Sequence, residues 1–196
     1  MTEFKCDTRS QGNFLYGKKQ SVFTVLYRLY NYCSAKKTME VNGVDYQSWH
    51  EVGHAMVCLL LGGEVELIEF VDDENSIGVA KARCDYPPEI KRAIACGGFA
   101  AEYLLFQEGY IKMSWREFTD KMFDNAVRDR ISFFDGDFAQ EDGFWPKEMD
   151  KEFGYFAIRQ VAPLLKPWFR VMKTVVRELV LKRKLNSQNI HKIIKA

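Results

Sequence analysis

Tyr46, Trp49, Val52, Ala55, Met56, Leu59 and Leu60 return at helical spacing and are followed by Gly62-Gly63, so this stretch predicts a mostly buried amphipathic helix that stops at the glycines. The period then shortens. Val65, Leu67, Ile68 and Phe70 alternate with acids across residues 64–71, and Ile77, Val79 and Ala82 alternate with small or basic residues across 77–83. With Asp72-Asp73-Glu74-Asn75 as the turn, the two runs predict a short hairpin-like sheet directly after the helix. Pro87-Pro88 opens a second helix, about residues 89–106, whose inner side carries Ile90, Ala93, Ile94, Ala101, Leu104 and Leu105. The small residues Ala95-Cys96-Gly97-Gly98 in its middle predict a very close neighbour, and the first helix is the natural candidate.

Ser114-Trp115-Arg116-Glu117 reads as a capping box that starts a helix with apolar positions Trp115, Phe118, Met122, Val127, Ile131 and Phe134. An acidic, glycine-containing loop is expected over 135–146, and helix again from Lys151, bent at Pro163 and Pro167. A last helix over 187–194 is expected to be capped by Ser187. Upstream, residues 1–20 are polar and turn-rich, and Val22, Phe23, Val25, Leu26, Leu29 and Tyr30 form an apolar stripe flanked by lysines. The expected fold is mainly α within the α+β class: a helical domain over 41–196 with a small β-sheet after its first helix, preceded over 1–40 by an arm and a basic amphipathic helix.

Composition narrows the function classes. Hydrophobic residues make up 47% of the 196 and aromatics 14%, enough for a packed core. The net charge of +1 argues against nucleic acid as the main partner, since such proteins carry a strongly basic face. Cys6, Cys33, Cys58, Cys84 and Cys96 are odd in number and scattered, which suits reduced thiols in a cytosol. No apolar run approaches the ~20 residues of a membrane span, and the first residues lack a signal-peptide pattern, so a cytoplasmic protein is expected. Residues 21–33 are the one segment that could lie on an anionic membrane surface, and packing against the domain or another subunit is the favoured reading.

The chemistry is concentrated in His50-Glu51-Val52-Gly53-His54. Residues four apart on a helix lie one above the other, about 6 Å apart along the axis, so both imidazoles can reach one metal ion. Glu51 sits at the flank, where a carboxylate can take a proton from an attacking water. One zinc ion per chain, held by His50 and His54 with Glu51 as the base, is the expected centre of a hydrolase. Cys58 lies one further turn along the same side, but three ligands along one straight helix cannot easily surround a tetrahedral ion.

Three stretches together resemble the peptidase domain of the FtsH-type zinc peptidases, over about residues 45–195 and weakly after Phe106. His50-Glu51-Val52-Gly53-His54-Ala55 matches that family's His-Glu-x-Gly-His-Ala signature. Ser76-Ile77-Gly78-Val79 resembles its edge strand, and Gly97-Gly98-Phe99-Ala100-Ala101-Glu102 is similar to its Gly-Gly-x-x-Ala-Glu helix. The resemblance implies a zinc metalloendopeptidase acting on peptides or unfolded proteins, with Ile77, Gly78 and Val79 aligning the substrate backbone. The chain contains no Gly-x-x-x-x-Gly-Lys-Ser/Thr phosphate loop, so an ATP-independent enzyme is expected, or one served by a separate ATPase or by assembly into a homo-oligomer.

The resemblance also implies a downstream aspartate as third ligand. Asp137, within Asp135-Gly136-Asp137-Phe138-Ala139, best fits the family's small-residue loop, and Asp124 is the next choice; Asp120 and Asp129 also lie near the family's usual distance, on the helix predicted after Ser114. Glu102 has two readings, a third ligand as in thermolysin-like enzymes or, as the resemblance implies, an acid that orients a ligand histidine. The rival function is an inactive relative that kept the fold as a binding or regulatory protein; the retained Glu51 weighs against it.

Overall fold

The stripe around the histidines becomes helix α1 (Val44–Leu60), with Tyr46, Trp49, Val52, Ala55 and Met56 all buried. The larger of these side chains, such as Val52 and Met56, contribute roughly 1.5–3 kcal/mol each on burial, so core packing holds this helix more than intrinsic propensity does. Gly62, at φ 90°, then takes the left-handed turn that ends it. A computed structural model describes residues 38–73, 76–136 and 146–195, and of residues 71–80 the backbone only. The readings made for the N-terminal arm and its amphipathic helix, and for Asp137, fall outside the described residues. One compact unit spans Lys37–Ala196.

The expected hairpin forms from β1 (Glu64–Asp73) and β2 (Ser76–Asp85), antiparallel with Ile68 opposite Ala82 and Val65 opposite Cys84. A third strand, β3 (Lys184–Asn186), pairs with the other side of β1 through Ile68 and Leu185, giving the order β2-β1-β3 and, among the described residues, leaving β2 at an edge. Three residues are too few to display a period of two, so the sequence pattern does not reveal β3.

The helix expected over 89–106 is instead a 3₁₀ turn (Pro88–Ile90) and two helices, α2 (Lys91–Ala95) and α3 (Gly97–Gln107), separated at Cys96, where ψ is −5°. Likewise the helix opened by Ser114, whose Oγ accepts from the Glu117 N–H at 3.2 Å, is broken at Ala126 (φ −87°, ψ 22°) into α4 (Trp115–Asn125) and α5 (Val127–Phe133). Helix α6 (Lys147–Phe156) runs through a π-turn (Ala157–Val161) into α7 (Ala162–Leu165), and a 3₁₀ turn (Lys166–Trp168) leads to α8 (Phe169–Lys182). Pro163 and Pro167 lack the N–H that the α-ladder requires, which accounts for the changes of helix type beside them. The last helix, α9 (Ser187–Ile194), is capped by Asn186 rather than Ser187, in a reciprocal box with Asn189.

Helices α1 and α3 meet backbone to backbone. A Cβ on Gly53 would lie 2.3 Å from the Gly97 carbonyl oxygen, and one on Gly97 would lie 2.7 Å from that of Gly53. Among the described residues no helix is long and apolar enough to cross a membrane.

Candidate metal centre

His50 and His54 stand one turn apart on α1, each 12–13% exposed, and Gly98 of α3 leaves the room that the first ring needs. A Cβ on Gly98 would come within 2.4 Å of His50 Cε1 and Nε2. His50 Nδ1–H donates to Oε1 of the fully buried Glu102 at 2.8 Å, and His54 Nδ1–H donates to the Ile94 carbonyl at 2.6 Å. These partners only accept, so both Nδ1 atoms carry hydrogen and both Nε2 atoms of the neutral rings are left with lone pairs. Those two nitrogens face each other at 3.1 Å.

Asp129 of α5 closes the group, its Oδ2 lying 3.1 Å from His50 Nε2 and its Oδ1 3.4 Å from His54 Nε2. Lone pairs at such separations repel unless a cation lies among them. On a tetrahedral ion with bonds of about 2.0–2.1 Å, the ligand atoms lie about 3.3–3.4 Å apart, close to these spacings. His50, His54 and Asp129 therefore form a set that can hold one metal ion, and Glu102 and Ile94 orient its imidazoles from behind.

In the metal-free protein a proton serves instead. Burial alone would lower the pKa of both histidines, but the Asp129 carboxylate, helped by Glu102 at His50 and by Glu51 at His54, outweighs it and holds His50 well above the ordinary range and His54 also above it. Burial would raise Asp129, yet His54 and His50 together hold it well below the usual carboxylate range.

Asp129 is positioned by its neighbour. Arg130 is buried, pairs with Asp150 of α6, and donates to the Phe123 carbonyl of α4 at 2.9 Å, so it ties the two sides of the break at Ala126 to a third helix. Glu51 has one carboxylate oxygen fixed, Oε2 accepting from the Ala82 N–H of β2 at 2.8 Å. Together with Asp129 it lines two cavities, one on the His50 side and one on the His54 side.

Of the residues singled out in the sequence, His50, Glu51, His54, Glu102 and Asp129 are brought together, and Ile77, Gly78 and Val79 lie in the edge strand β2. Glu102 bonds to His50 Nδ1 and is not among the three converging ligands. Asp124 and Asp120 are exposed on α4 and stand outside this group. Cys58 is buried with its thiol toward the Glu64 carbonyl at 3.6 Å, and burial pushes its pKa up. His191 bonds within α9, to the Ser187 carbonyl. Arg130 was not foreseen because an arginine directly after Arg128-Asp129 reads as one more surface charge. Comparison with protein-family models finds no match, and comparison with curated proteins finds none either.

Proposed function

We propose that this protein is a zinc-dependent endopeptidase, similar to the peptidase domain of the FtsH type, that hydrolyses peptide bonds in peptides or unfolded proteins. The observation that carries the reading is the convergence of two imidazole lone pairs and a carboxylate at tetrahedral spacing, with a second carboxylate, Glu51, on the next residue of the same helix. Nitrogen donors with one oxygen favour zinc over calcium or magnesium, which take oxygen ligands. When bound, the metal supplies Lewis acidity that activates a water and polarises the scissile carbonyl.

The chain's own residues do the rest. Glu51 is anchored through Oε2 to β2, which leaves Oε1 to take the proton from the attacking water and return it to the leaving amine. Glu102 holds His50 in the tautomer that presents Nε2. An extended substrate pairing with the edge of β2 would lie beside α1, with selectivity left to neighbouring cavities. The free thiols Cys58, Cys84 and Cys96 are in keeping with a reducing, cytosolic setting.

Metal analysis of the purified protein beside Glu51→Gln, both tested on unfolded casein, decides the matter. The expected result is about one zinc per chain in both forms, with cleavage by the wild type reduced roughly 10²–10⁴-fold in the variant. Stoichiometric metal with no cleavage by the wild type would favour the rival reading, a binding or regulatory protein on the same fold.

A further inference from the structure

The two cavities flanking the metal centre, each of about 500 Å³, differ in charge. The one on the His54 side includes apolar Ile94 and Ala95, the acid Glu66, and Arg83, which is already paired with Glu69 at 3.3 Å. The one on the His50 side holds Lys81 and Arg128, and neither has an ion-pair or hydrogen-bond partner among the described residues. The acids of this second cavity make contacts of their own, Glu102 with His50, Asp129 with the histidine pair and one oxygen of Glu51 with the Ala82 N–H, and a bound metal ion would offset their charge. Two uncommitted cations beside the reacting centre are a receptor for a carboxylate.

Topology gives that receptor a direction. Along α1 the His50 side precedes the His54 side, and along β2 Lys81 of the His50-side cavity precedes Cys84 of the His54-side cavity. Both described pairings of this sheet are antiparallel, and a peptide added to β2 in the same sense runs from the His54 cavity to the His50 cavity, so the residue following the scissile bond enters the cavity of Lys81 and Arg128. We infer that this protein selects substrates with an aspartate or glutamate directly C-terminal to the cleaved bond, read by Lys81 and Arg128. This rests on the peptidase reading above and adds a specificity that the motif does not contain.

Three fluorescent peptides of one parent sequence test it: Glu after the scissile bond with both ends blocked, Gln in its place with both ends blocked, and Gln in its place as a free C-terminus. Binding is measured with the zinc-loaded full chain carrying Glu51→Gln, and cleavage with the wild type. The Glu peptide is expected to bind about tenfold more tightly than the blocked Gln peptide, equivalent to about 1.4 kcal/mol. The preference should shrink as salt is raised, vanish on adding Lys81→Gln with Arg128→Gln, and return with Lys81→Arg and Arg128→Lys. Both side chains reach solvent, so these changes leave the core intact. Equal binding of all three peptides overturns the inference, and so does a preference for the free-terminus peptide alone, which would make the cavity a reader of chain ends. Selective binding of the Glu peptide with no cleavage supports the anionic subsite and overturns hydrolysis; cleavage of both blocked peptides without selectivity overturns the subsite and leaves hydrolysis standing.

Discussion

Asp129 carries the sharpest residue-level prediction, because it supplies the charge that two neutral imidazoles lack. Asp129→Ala should abolish stoichiometric metal binding in equilibrium dialysis, whereas Asp124→Ala, on an exposed face of α4, should leave it unchanged. Glu102→Ala should weaken binding roughly 10–100-fold in competition with a chelator, since His50 loses the group that fixes its ring. The histidine pair and Glu51 were legible in the sequence because a spacing of four on a helix is a local property. Glu102 was legible through the Gly-Gly-x-x-Ala-Glu pattern. Asp129 was one of four candidate acids and not the favoured one: its approach to the histidines depends on a helix break without glycine or proline and on the burial of Arg130, and neither leaves a local trace.

At the scale of elements, glycines set how closely the ligand-bearing helix can be approached. Gly53→Ala would drive a methyl against the Gly97 backbone, which is part of α3 and cannot swing aside, so a loss of about 1–3 kcal/mol or more is expected in denaturant unfolding. Gly98→Ala meets the His50 ring instead, and its expected signature is lost metal affinity with a smaller change in stability. The small-residue run 95–98 already announced a close neighbour. The breaks at Cys96 and Ala126 were hidden because apolar residues on either side keep helical spacing across them. The π-turn at Ala157–Val161 and the strand β3 were hidden for the complementary reason that each is too short to impose a period.

For the whole molecule, a metal ion bound by the triad would compete with a proton for one place. In chelator-treated protein the His50 pKa stands above its unfolded value, so the protonated ring contributes stability that is complete below about pH 6.5 and is lost as pH rises through the raised native value. Asp129, depressed in the native state, contributes above about pH 4 and loses its contribution only in stronger acid. Thermal melting of the stripped protein should therefore fall as pH rises above about 6.5, while the zinc-loaded protein, which needs neutral imidazoles, should hold steady or rise over the same range. Equal slopes with and without metal would contradict this competition.

The contact of Gly53 with Gly97 has a further consequence for how the ion could ever escape. Both imidazoles ride on one helix, the carboxylate steadying the first of them rides on the other, and the two backbones touch without side chains to act as a cushion. Fraying of either partner is thereby opposed, so a metal ion held there should leave by the solvent-reached side that Asp129 closes, at a rate that a chelator raises without any denaturant.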